Sequence, residues 1–490
     1  MAITTRALLD AGAVVPMLIG GEWVPSFASN LREVTNPVDD RVIAQIAYGG
    51  VSEAQSAADQ ATAAFESWSN TSSRYRADIL WRTYELILER ADEIGALLSL
   101  ETGKLLSEGI GETRFSAEYF RWFSEEIRRP QGEVFASEDR SRKQLSISRP
   151  IGVAATLTPW NFPLSIQARK VAPALAAGCT VVARPSEKAP LAVGELFRAL
   201  VDAGLPPGVA NLIYGPASIQ SNALIDHDGI GVISFTGSTP VGSALMRQAS
   251  NRIVRCALEL GGDAPYIIFS DANIDRAIEG LAIAKFRNNG QSCIAANRVF
   301  VEDSIMDQVC ERLAKLTSSM RIGDPLGHER VDLGPLIDSS RVRDVDRICR
   351  DALDSGASFL GESPIVPDGA NFMRPGFLVD AAFDSALAKE EVFGPIAGVF
   401  SFSDEDEVIH RANDTKMGLA GYAYTNNQSR IWRLAEKLEV GILGLNHPLP
   451  SVVYSPMGGL KGSGLGREGA HDGLLEYLET KYISIGIEEK

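Results

Sequence analysis

The segment IGVAATLTPWNFPLSIQARKVAPALAAGCTVVA, residues 151–183, begins and ends with a short apolar run and carries a helix-like segment between them. Similar apolar runs follow, again separated by helical segments: Ala210 to Tyr214, Val232 to Phe235 and Ile253 to Leu258. Strands that are buried on both faces have continuous apolar sequences, and their alternation with helices is typical of a parallel sheet. The sequence therefore predicts a doubly wound parallel sheet.

A second set of strands and helices follows the glycine pair Gly261-Gly262. The apolar runs from Tyr266 to Phe269 and from Arg298 to Val301 enclose a helical pattern from about Asn273 to Asn288, and the alternation continues to Gly441–Leu445. A chain of 490 residues is too long for one ordinary hydrophobic core. We therefore predict an α/β protein with two doubly wound parallel-sheet domains that meet near Gly261.

The first hundred residues are predicted to be mostly helical. Residues from Ser52 to Trp68 place alanines and aromatic residues on one helical face, behind a capping box that runs from Ser52 to Gln55. A second helix is predicted from about Arg76 to Leu100. Between Glu133 and Pro150 the sequence is polar and alternates with a period of two, which predicts a β-hairpin that could form an arm.

The composition disfavours several classes of partner. A net charge of −16 and a pI of about 5.0 disfavour nucleic acid, because phosphate binding needs clustered lysine and arginine. No window approaches the roughly 18 apolar residues that a membrane span needs, and the N-terminus lacks the positive segment of a secretory signal. The five cysteines are scattered without a CxxC pair, which favours neither disulfides nor a metal site and fits a reducing cytoplasm.

The polar run Asn288-Asn289-Gly290-Gln291-Ser292 leads directly into Cys293, between a predicted helix and a predicted strand. Most free cysteines are inert and buried, but a polar approach is unusual for a core residue. A thiol nucleophile needs a lowered pKa or a nearby base. The candidate base is Glu259, which closes an apolar strand where burial would raise the pKa of its carboxyl group, although an acid that binds a neighbouring amide is the alternative. Asn161, between two prolines, either stabilises an oxyanion or is a turn asparagine.

Three stretches are candidates for nucleotide binding. The GxGxxG pattern at Gly464, Gly466 and Gly469 is rejected, because no apolar strand precedes it and too few residues follow it for a βαβ unit. In the stretch FTGSTPVG, residues 235–242, free N–H groups at a helix start would face a pyrophosphate, although a plain strand-to-helix turn fits equally well. The stretch RPSE, residues 184–187, ends a strand, and its acid either accepts ribose hydroxyls or is a solvated loop residue.

Together these motifs resemble the NAD(P)-dependent aldehyde dehydrogenases. The resemblance runs from Gly-Glu-Trp at residues 21–23 through Glu-Thr-Gly-Lys at 101–104 to Leu-Lys-Gly-Ser-Gly at 460–464, and so covers nearly the whole chain. It implies three catalytic roles: the nucleophile Cys293, the general base Glu259, and an oxyanion hole formed by Asn161 and the Cys293 N–H. A coenzyme A-acylating relative would not need this base, so its presence favours hydrolysis to the acid.

The resemblance also implies a division of the chain into a Rossmann-like cofactor domain, a catalytic domain and a small β arm for oligomerisation. The segments are 1–129 and 151–260 for the cofactor domain, 261–470 for the catalytic domain, and 130–150 with 471–490 for the arm. In the family the arm pairs between subunits. The segments Lys143 to Ser148 and Tyr482 to Ile487 therefore suggest a homodimer or a homotetramer.

Eight residues are assigned to the cofactor by the resemblance. Gly237 and Ser238 would lie beside the pyrophosphate, Glu187 beside the adenine ribose, Glu391 and Phe393 beside the nicotinamide ribose, and Trp160, Arg184 and Leu260 along the cleft. The family usually has lysine where this chain has Arg184, and a guanidinium could also hold a 2′-phosphate. Glu187 would repel that phosphate, so we expect NAD, with NADP possible.

Within the family the chain most resembles the succinate-semialdehyde dehydrogenases, through Arg169, Arg287 and Ser451. The resemblance implies that these residues hold the distal carboxylate of a small anionic aldehyde, and guanidinium groups suit a planar anion. The alternative is that both arginines are salt-bridged surface groups. Two departures, Ala295 in place of a second cysteine and the unusual loop NHPLP at residues 446–450, keep other acidic aldehydes open: glutarate semialdehyde, 2-oxoglutarate semialdehyde and sulfolactaldehyde.

Two other classes compete with a dehydrogenase. Cys293 and Glu259 could serve a cofactor-free thiol hydrolase, which the absence of NAD binding to the purified protein would favour. A non-catalytic protein that keeps the fold is disfavoured, because the catalytic residues are intact.

Overall fold

The computed structural model describes residues 14–129, 132–361 and 371–487. The strands are β1 (Val14–Val15), β2 (Met17–Ile19), β3 (Glu22–Val24), β4 (Leu31–Thr35), β5 (Val42–Ala47), β6 (Val134–Phe135), β7 (Arg142–Pro150), β8 (Val153–Thr158), β9 (Thr180–Pro185), β10 (Ala210–Leu212), β11 (Ile230–Thr236), β12 (Arg255–Glu259), β13 (Ala264–Ile268), β14 (Ala296–Glu302), β15 (Ser358–Phe359), β16 (Gly376–Val379), β17 (Ile396–Phe402), β18 (Met417–Gly418), β19 (Ala420–Tyr424), β20 (Ile442–Leu445), β21 (Leu460–Lys461), β22 (Gly464–Leu465) and β23 (Leu478–Gly486). The helices are α1 (Val51–Ser69), α2 (Ser73–Glu89), α3 (Ala91–Thr102), α4 (Leu106–Glu126), α5 (Pro163–Ala177), α6 (Leu191–Asp202), α7 (Ala217–Asp226), α8 (Thr239–Ala249), α9 (Ile274–Phe286), α10 (Met306–Ser319), α11 (Ser339–Asp354), α12 (Ala386–Lys389), α13 (Glu405–Asn413), α14 (Gln428–Lys437) and α15 (Asp472–Leu475), with short 3-10 turns at Arg287–Gly290 and Asp303–Ile305.

The first large sheet has eight strands in the order β22-β12-β11-β8-β9-β10-β2-β3. The strands from β12 to β10 run parallel, whereas β22, β2 and β3 pair antiparallel at the two edges. Every residue of β8 and β9 is buried, as expected for central strands that helices cover on both faces. The doubly wound sheet predicted from the apolar runs is confirmed.

The second large sheet has seven strands in the order β15-β16-β17-β14-β13-β19-β20, and only the edge strand β15 is antiparallel. The chain crosses from the first sheet to the second through residues 260–263, between β12 and β13. The predicted α/β architecture with two parallel sheets is confirmed. Strand β22 lies in the segment assigned to the catalytic domain, but it pairs with β12 and so extends the first sheet.

Helix α5 positions much of the site described below. It begins with a proline and ends at Gly178, whose left-handed φ of 96° glycine adopts without a steric penalty. All of its residues are buried, because it packs against helix α4 and strands β8 and β9. Two of these buried residues, Arg169 and Lys170, are charged, so they need partners inside the protein.

A third sheet, in the order β23-β7-β6, forms the arm. The predicted hairpin is present as β6 and β7, and β7 also pairs along its whole length with β23, as Ile147 with Lys481 illustrates. Within the described residues, the outer edge of β23 pairs with no other strand. The side chains of Val134, Tyr482 and Ile485 are exposed on this arm.

The prediction of a mostly helical N-terminal segment was wrong for residues 14–47, which form five short strands. These strands are short and carry little periodicity, and β2 obtains one of its two partners from a distant part of the chain. Leu18 of β2, for example, pairs with Leu212 of β10. A local pattern of two to six residues contains no signal for such a partner.

Two helix boundaries also differ from the prediction. Helix α1 is capped by Glu53, whose carboxylate accepts the Gly50 N–H at 2.7 Å, and not by the predicted box from Ser52 to Gln55. The helix predicted from Arg76 to Leu100 is two helices, α2 and α3, because Arg90 leaves the helical conformation.

No helix in the described ranges is long and apolar enough to cross a membrane. All five cysteines are free. The described residues contain no group of three or more histidine, cysteine, aspartate or glutamate side chains that could hold a metal ion.

Candidate active site

The structure brings the three predicted catalytic residues together between the two large sheets. Asn161 follows β8 and Glu259 ends β12, both at the carboxyl ends of parallel strands, whereas Cys293 precedes β14 of the other sheet. The Asn161 amide connects the two sides of the site, because its Nδ2 donates to the carbonyl oxygen of Gln291, in the turn before β14, at 3.1 Å. Gly262 lies so near that an added Cβ would be 2.1 Å from the Cys293 carbonyl oxygen, so only glycine fits there.

Cys293 is presented by a turn in an uncommon backbone conformation. Asn288 (φ 53°), Asn289 (φ 57°) and Gly290 (φ 76°) are all left-handed. For the two asparagines this conformation costs about 1–2 kcal/mol each, and such strain persists only where the surroundings impose it. The helix predicted to reach Asn288 therefore ends at Phe286.

The polar residues before Cys293 are buried because they fasten this turn. Asn289 donates to the carbonyl oxygen of Pro335 at 2.8 Å and accepts the Gly334 N–H at 2.8 Å. Gln291 accepts the Ile337 N–H at 3.0 Å. The polar run is thus a hydrogen-bonded part of the core, and its side chains fix the position of the thiol.

The Glu259 carboxyl group is buried away from water. The residue is 1% exposed, and neither carboxylate oxygen has a hydrogen-bond partner within the described residues. Burial raises the pKa of Glu259 to about 7, and the nearby Arg169 charge opposes part of that rise. At neutral pH the group can therefore either hold or accept a proton.

The surroundings of the Cys293 thiol favour its protonated form. Burial and the charge of Glu259 raise the pKa of Cys293 well above its ordinary value, although the Arg169 charge acts in the opposite direction. The thiol consequently needs a base beside it to become a nucleophile. The Cys293 backbone N–H donates no hydrogen bond within the described ranges, which leaves it free for a bound oxygen.

Asn161 is held at both its side chain and its backbone. The residue is buried, and its carbonyl oxygen accepts hydrogen bonds from Lys104 Nζ at 2.9 Å and from Asn288 Nδ2 at 2.8 Å. The side-chain amide has two N–H bonds, and the one directed to Gln291 leaves the other available. Asn161 and the Cys293 N–H therefore offer two donors on adjoining segments.

A buried cluster of charges lies beside Glu259. Arg169 Nε is 2.6 Å from Glu468 Oε2, and Lys170 Nζ binds the other oxygen of the same carboxylate. Arg169 also contacts the sulfur of Met457. Of the two interpretations of Arg169, the ion pair is present, but it is buried and close to the site, not on the surface.

Sequence reasoning missed Glu468 and Lys170. Glu468 follows a glycine-rich loop far along the chain, and no local pattern connects it with helix α5. The one available signal was the adjacent pair Arg169-Lys170 in an otherwise apolar helix, since two buried cations require a buried acid.

Arg287 and Ser451 contact different neighbours in this region. The Arg287 guanidinium is half-buried and stacks over the Phe162 ring, with 4.8 Å to the ring centroid. Among the described residues, no carboxylate lies within 4.0 Å of it. Ser451 Oγ is 3.4 Å from Met457 Sδ, the sulfur that Arg169 also contacts.

A cavity of about 540 Å³ lies at the carboxyl side of the first sheet. It is bordered by helix α8, strands β8 and β11, and residues that include Arg184, Phe235 and Leu245. Helix α8 begins after Ser238, whose hydroxyl makes no capping hydrogen bond, and proline occupies its first turn. The uncapped helix start leaves N–H groups for a phosphate, so these residues fit a dinucleotide.

Arg184 is already engaged at the edge of this cavity. One of its terminal nitrogens donates to Glu187 Oε2 at 2.6 Å and to the Gly215 carbonyl oxygen at 2.6 Å. The same segment continues to Lys188, which pairs with Asp338, the residue before helix α11. Arg184 and Glu187, both predicted cofactor residues, thus contact each other directly.

The remaining predicted cofactor residues cluster at the other end of the cleft. Trp160 and Phe393 meet edge to face, with ring centroids 5.6 Å apart. Glu391 accepts the Gly262 N–H at 3.3 Å, and burial raises the pKa of Glu391 to about 8. Leu260 packs against the start of helix α8, where a Cβ at Gly242 would lie 2.6 Å from the leucine.

The rejected GxGxxG pattern has no nucleotide-binding geometry. Gly464 lies in β22, which pairs antiparallel with β12. The following helix, α15, begins only at Asp472 and is four residues long.

Comparison with known proteins gives the family. Residues 23–483 match the aldehyde dehydrogenase family. The NADP(+) succinate-semialdehyde dehydrogenase of Escherichia coli is 41% identical over 470 residues, which cover 96% of this chain and 97% of that protein. The 3-sulfolactaldehyde dehydrogenase of Pseudomonas putida is 40% identical over 468 residues, or 96% of each chain.

Solved structures agree with this assignment. Betaine aldehyde dehydrogenase from Staphylococcus aureus, in complex with NAD+, has a TM-score of 0.95 and 31% sequence identity, with 100% of this chain and 98% of that chain covered. The relatives thus include an NADP(+) enzyme and an NAD+ complex. From the match over nearly its whole length, the chain belongs to the aldehyde dehydrogenase family and is an NAD(P)-dependent aldehyde dehydrogenase.

Proposed function

We propose that this enzyme oxidises a small aldehyde with an anionic group at its far end, with succinate semialdehyde or a close carboxylated analogue as the substrate. The observation that carries the proposal is the half-buried Arg287 guanidinium, which has no carboxylate within 4.0 Å among the described residues. A partly desolvated cation favours an anionic ligand. Arg287 stacks on Phe162, the neighbour of Asn161, so the cation lies close to the carbonyl-binding amide.

The catalytic roles follow from the chemistry of three groups. Glu259 accepts the proton of the Cys293 thiol, and the thiolate attacks the aldehyde carbon to form a thiohemiacetal. The Asn161 amide and the Cys293 N–H donate hydrogen bonds to the oxygen as it gains negative charge. The chemistry that NAD(P)+ supplies when bound is hydride acceptance, which converts the adduct into a thioester.

Glu259 also acts in a second step, the hydrolysis that releases the acid. Glu259 first releases the thiol proton to solvent; its carboxylate then takes a proton from water, and the resulting hydroxide attacks the thioester carbon. The carbon–sulfur bond then breaks, and the Cys293 sulfur leaves as a thiolate that takes up a proton. A carboxyl group whose pKa burial has raised to about 7 is suited to this step near neutral pH, which supports hydrolysis over transfer to coenzyme A.

At the far end of the substrate, Arg287, Arg169 and Ser451 are the proposed anion-binding residues. Arg169 already pairs with Glu468, so its charge is partly neutralised, and Arg287 supplies the stronger attraction. A sulfonate also presents several oxygens to guanidinium groups. Sulfolactaldehyde, on which a 40% identical relative is named to act, is therefore an alternative substrate, together with glutarate semialdehyde and 2-oxoglutarate semialdehyde.

The proposed cofactor is NAD, with weaker use of NADP. Arg184 is held by Glu187 and by the Gly215 carbonyl, which supports ribose recognition by the acid and opposes a 2′-phosphate. The other proposed contacts are Gly237 and Ser238 with the pyrophosphate, Glu391 and Phe393 with the nicotinamide ribose, and Trp160 and Leu260 along the cleft.

The arm supports a homo-oligomer, a dimer or a tetramer. Within the described residues the outer edge of β23 is unpaired, and this edge and the exposed apolar side chains of the arm would template pairing with a second copy. Five free cysteines are compatible with a reducing compartment, and we place the enzyme in the cytoplasm.

The anion site is tested by Arg287→Ala, assayed with succinate semialdehyde and with butanal, an uncharged aldehyde of similar length. Loss of a charged hydrogen bond of about 1.5–3 kcal/mol should raise the KM for succinate semialdehyde by roughly 10- to 100-fold. The KM for butanal should change little. The exposed Arg74, which pairs with Asp78, provides the control variant Arg74→Ala. Wild-type enzyme that treats both aldehydes with equal efficiency would contradict the proposal.

The pH dependence of kcat tests the base. The pKa of Glu259 is raised by burial to about 7, and only the carboxylate form removes a proton. Below pH 7, kcat should therefore rise about tenfold per pH unit, and it should level off above pH 8. Glu259→Gln should abolish this limb and slow both the formation and the hydrolysis of the thioester, so that NADH formation is slow from the first turnover. A flat profile between pH 5.5 and 7.5 in the wild type would argue against this role.

Cofactor preference is tested by Glu187→Ser. The change removes the carboxylate that repels a 2′-phosphate and frees the Arg184 guanidinium. The ratio of kcat/KM for NADP+ to that for NAD+ should rise by about tenfold or more, the value of one charged hydrogen bond. An unchanged ratio, or a wild type that prefers NADP+, would contradict the assignment.

The arm is tested by the double variant Tyr482→Asp, Ile485→Asp. Both side chains are exposed on β23, and two new carboxylates should repel the matching strand of a second copy. Sedimentation velocity should give a dimer or tetramer for the wild type and smaller species for the variant. A monomeric wild type at micromolar concentration would refute the proposal.

A further inference from the structure

Lys104 and Glu112 form a buried ion pair directly behind the oxyanion donor. Lys104 is 0% and Glu112 6% exposed, and the ammonium group binds Glu112 Oε2. The same ammonium donates to the Asn161 carbonyl oxygen at 2.9 Å. Two charges without solvent cost several kcal/mol unless their hydrogen bonds are complete, so such a pair is a poor way to gain stability alone.

We propose that Lys104 and Glu112 are positioning residues that hold the Asn161 amide in the orientation required to stabilise the oxyanion. The inference rests on the proposed role of Asn161 and adds two residues that touch neither the substrate nor the cofactor. They act through the Asn161 peptide, whose carbonyl they hold in place.

The other oxygen of Glu112 fixes the helix that follows Asn161. Glu112 Oε1 accepts the N–H groups of Leu164 and Ser165, both at 3.1 Å, in the first turn of α5. One carboxylate therefore locks the helix start and also the ammonium that binds Asn161. The chain between these anchors is only Asn161, Phe162 and Pro163, so its freedom to rotate is small.

Removal of Lys104 would leave the Asn161 carbonyl with one donor. The remaining hydrogen bond comes from Asn288 Nδ2 at 2.8 Å, and within the described part of the chain the Asn161 side chain is hydrogen-bonded only to Gln291, at 3.1 Å. Both of those partners lie in the strained turn before Cys293, which belongs to the other sheet. Lys104 is thus the anchor on the side of the first sheet, and it sets the position of Asn161 relative to the thiol.

Phe162 extends the effect of Lys104 toward the far end of the substrate. The Lys104 ammonium lies 4.6 Å from the Phe162 ring centroid, and the Arg287 guanidinium lies 4.8 Å from the same centroid. Cations are attracted to an aromatic ring. The ring that supports Arg287 is therefore itself held by the lysine that orients Asn161.

The test is a double-mutant cycle with Lys104→Met and Asn161→Ala, assayed with propanal so that the outcome does not depend on the anionic group. A misplaced oxyanion donor should lower kcat by about 10- to 100-fold in Lys104→Met, with KM changed less than about threefold. In the Asn161→Ala background the lysine substitution should have less than about a twofold further effect. Multiplicative effects of the two substitutions, or wild-type kcat in Lys104→Met, would overturn the proposal.

A second pair of variants covers the case in which Lys104→Met does not fold. In Glu112→Gln the amide oxygen can still accept the Leu164 and Ser165 N–H groups, but the charge that holds Lys104 is lost. Glu101 is the matched control, because it is also buried and accepts the Leu191 N–H at 2.7 Å and the Ala192 N–H at 3.0 Å, at the start of α6.

Glu112→Gln should lower kcat about tenfold, and Glu101→Gln should leave it unchanged. Equal losses in both variants would show a general effect of helix capping and would overturn the positioning role. The Arg287→Ala variant tests only the binding of the anionic group. Propanal has no such group, so a failure of the anion proposal would not affect the present test. A wild-type kcat in Asn161→Ala would instead refute the proposed oxyanion role.

Discussion

Loss of water between the two large sheets is the constraint on which the rest of this site depends. Glu259 is 1% exposed, and burial, together with the nearby Glu468 charge, raises its pKa to about 7. The same dry environment penalises every other charge in the region. Arg169 and Lys170 are accordingly gathered around one carboxylate, Glu468, whose pKa these cations lower although burial alone would raise it. The burial that raises the pKa of Glu259 is therefore also the reason why the neighbouring charges pair with one another.

Position within this dry space is set by backbone strain and by close contact. The left-handed asparagines before Cys293 are costly, and amide hydrogen bonds to Pro335 and Gly334 hold them there. Gly262 lets the first sheet approach the Cys293 carbonyl more closely than any side chain would allow. Arg169 and Arg287 differ in their partners. Arg169 is neutralised inside the protein by Glu468, whereas Arg287 stacks on Phe162 and has no carboxylate within 4.0 Å among the described residues.

Much of this molecule could be predicted from the chain itself. The apolar runs identified the central strands, because fully buried parallel strands have a continuous signal. Cys293, Glu259 and Asn161 stood out because each is a polar residue next to an apolar element. The five strands before residue 47 did not stand out, since Leu18 pairs with Leu212 and a short edge strand has no local signature. Glu468 was missed for the same reason, because it binds Lys170 from 298 residues away.

The sequence by itself determined the alternation of strands and helices, the family, and the types of chemical group available at the site. Those properties depend on side-chain periodicity and on short motifs, which are local. Only the tertiary structure decided which charges are neutralised and which remain available, as Arg169 with Glu468 and Arg287 over Phe162 illustrate. It also decided that Lys104 reaches Asn161, and that Glu259 is dry. Burial and ion pairing depend on distances between segments that are far apart in the chain, and folding alone sets those distances.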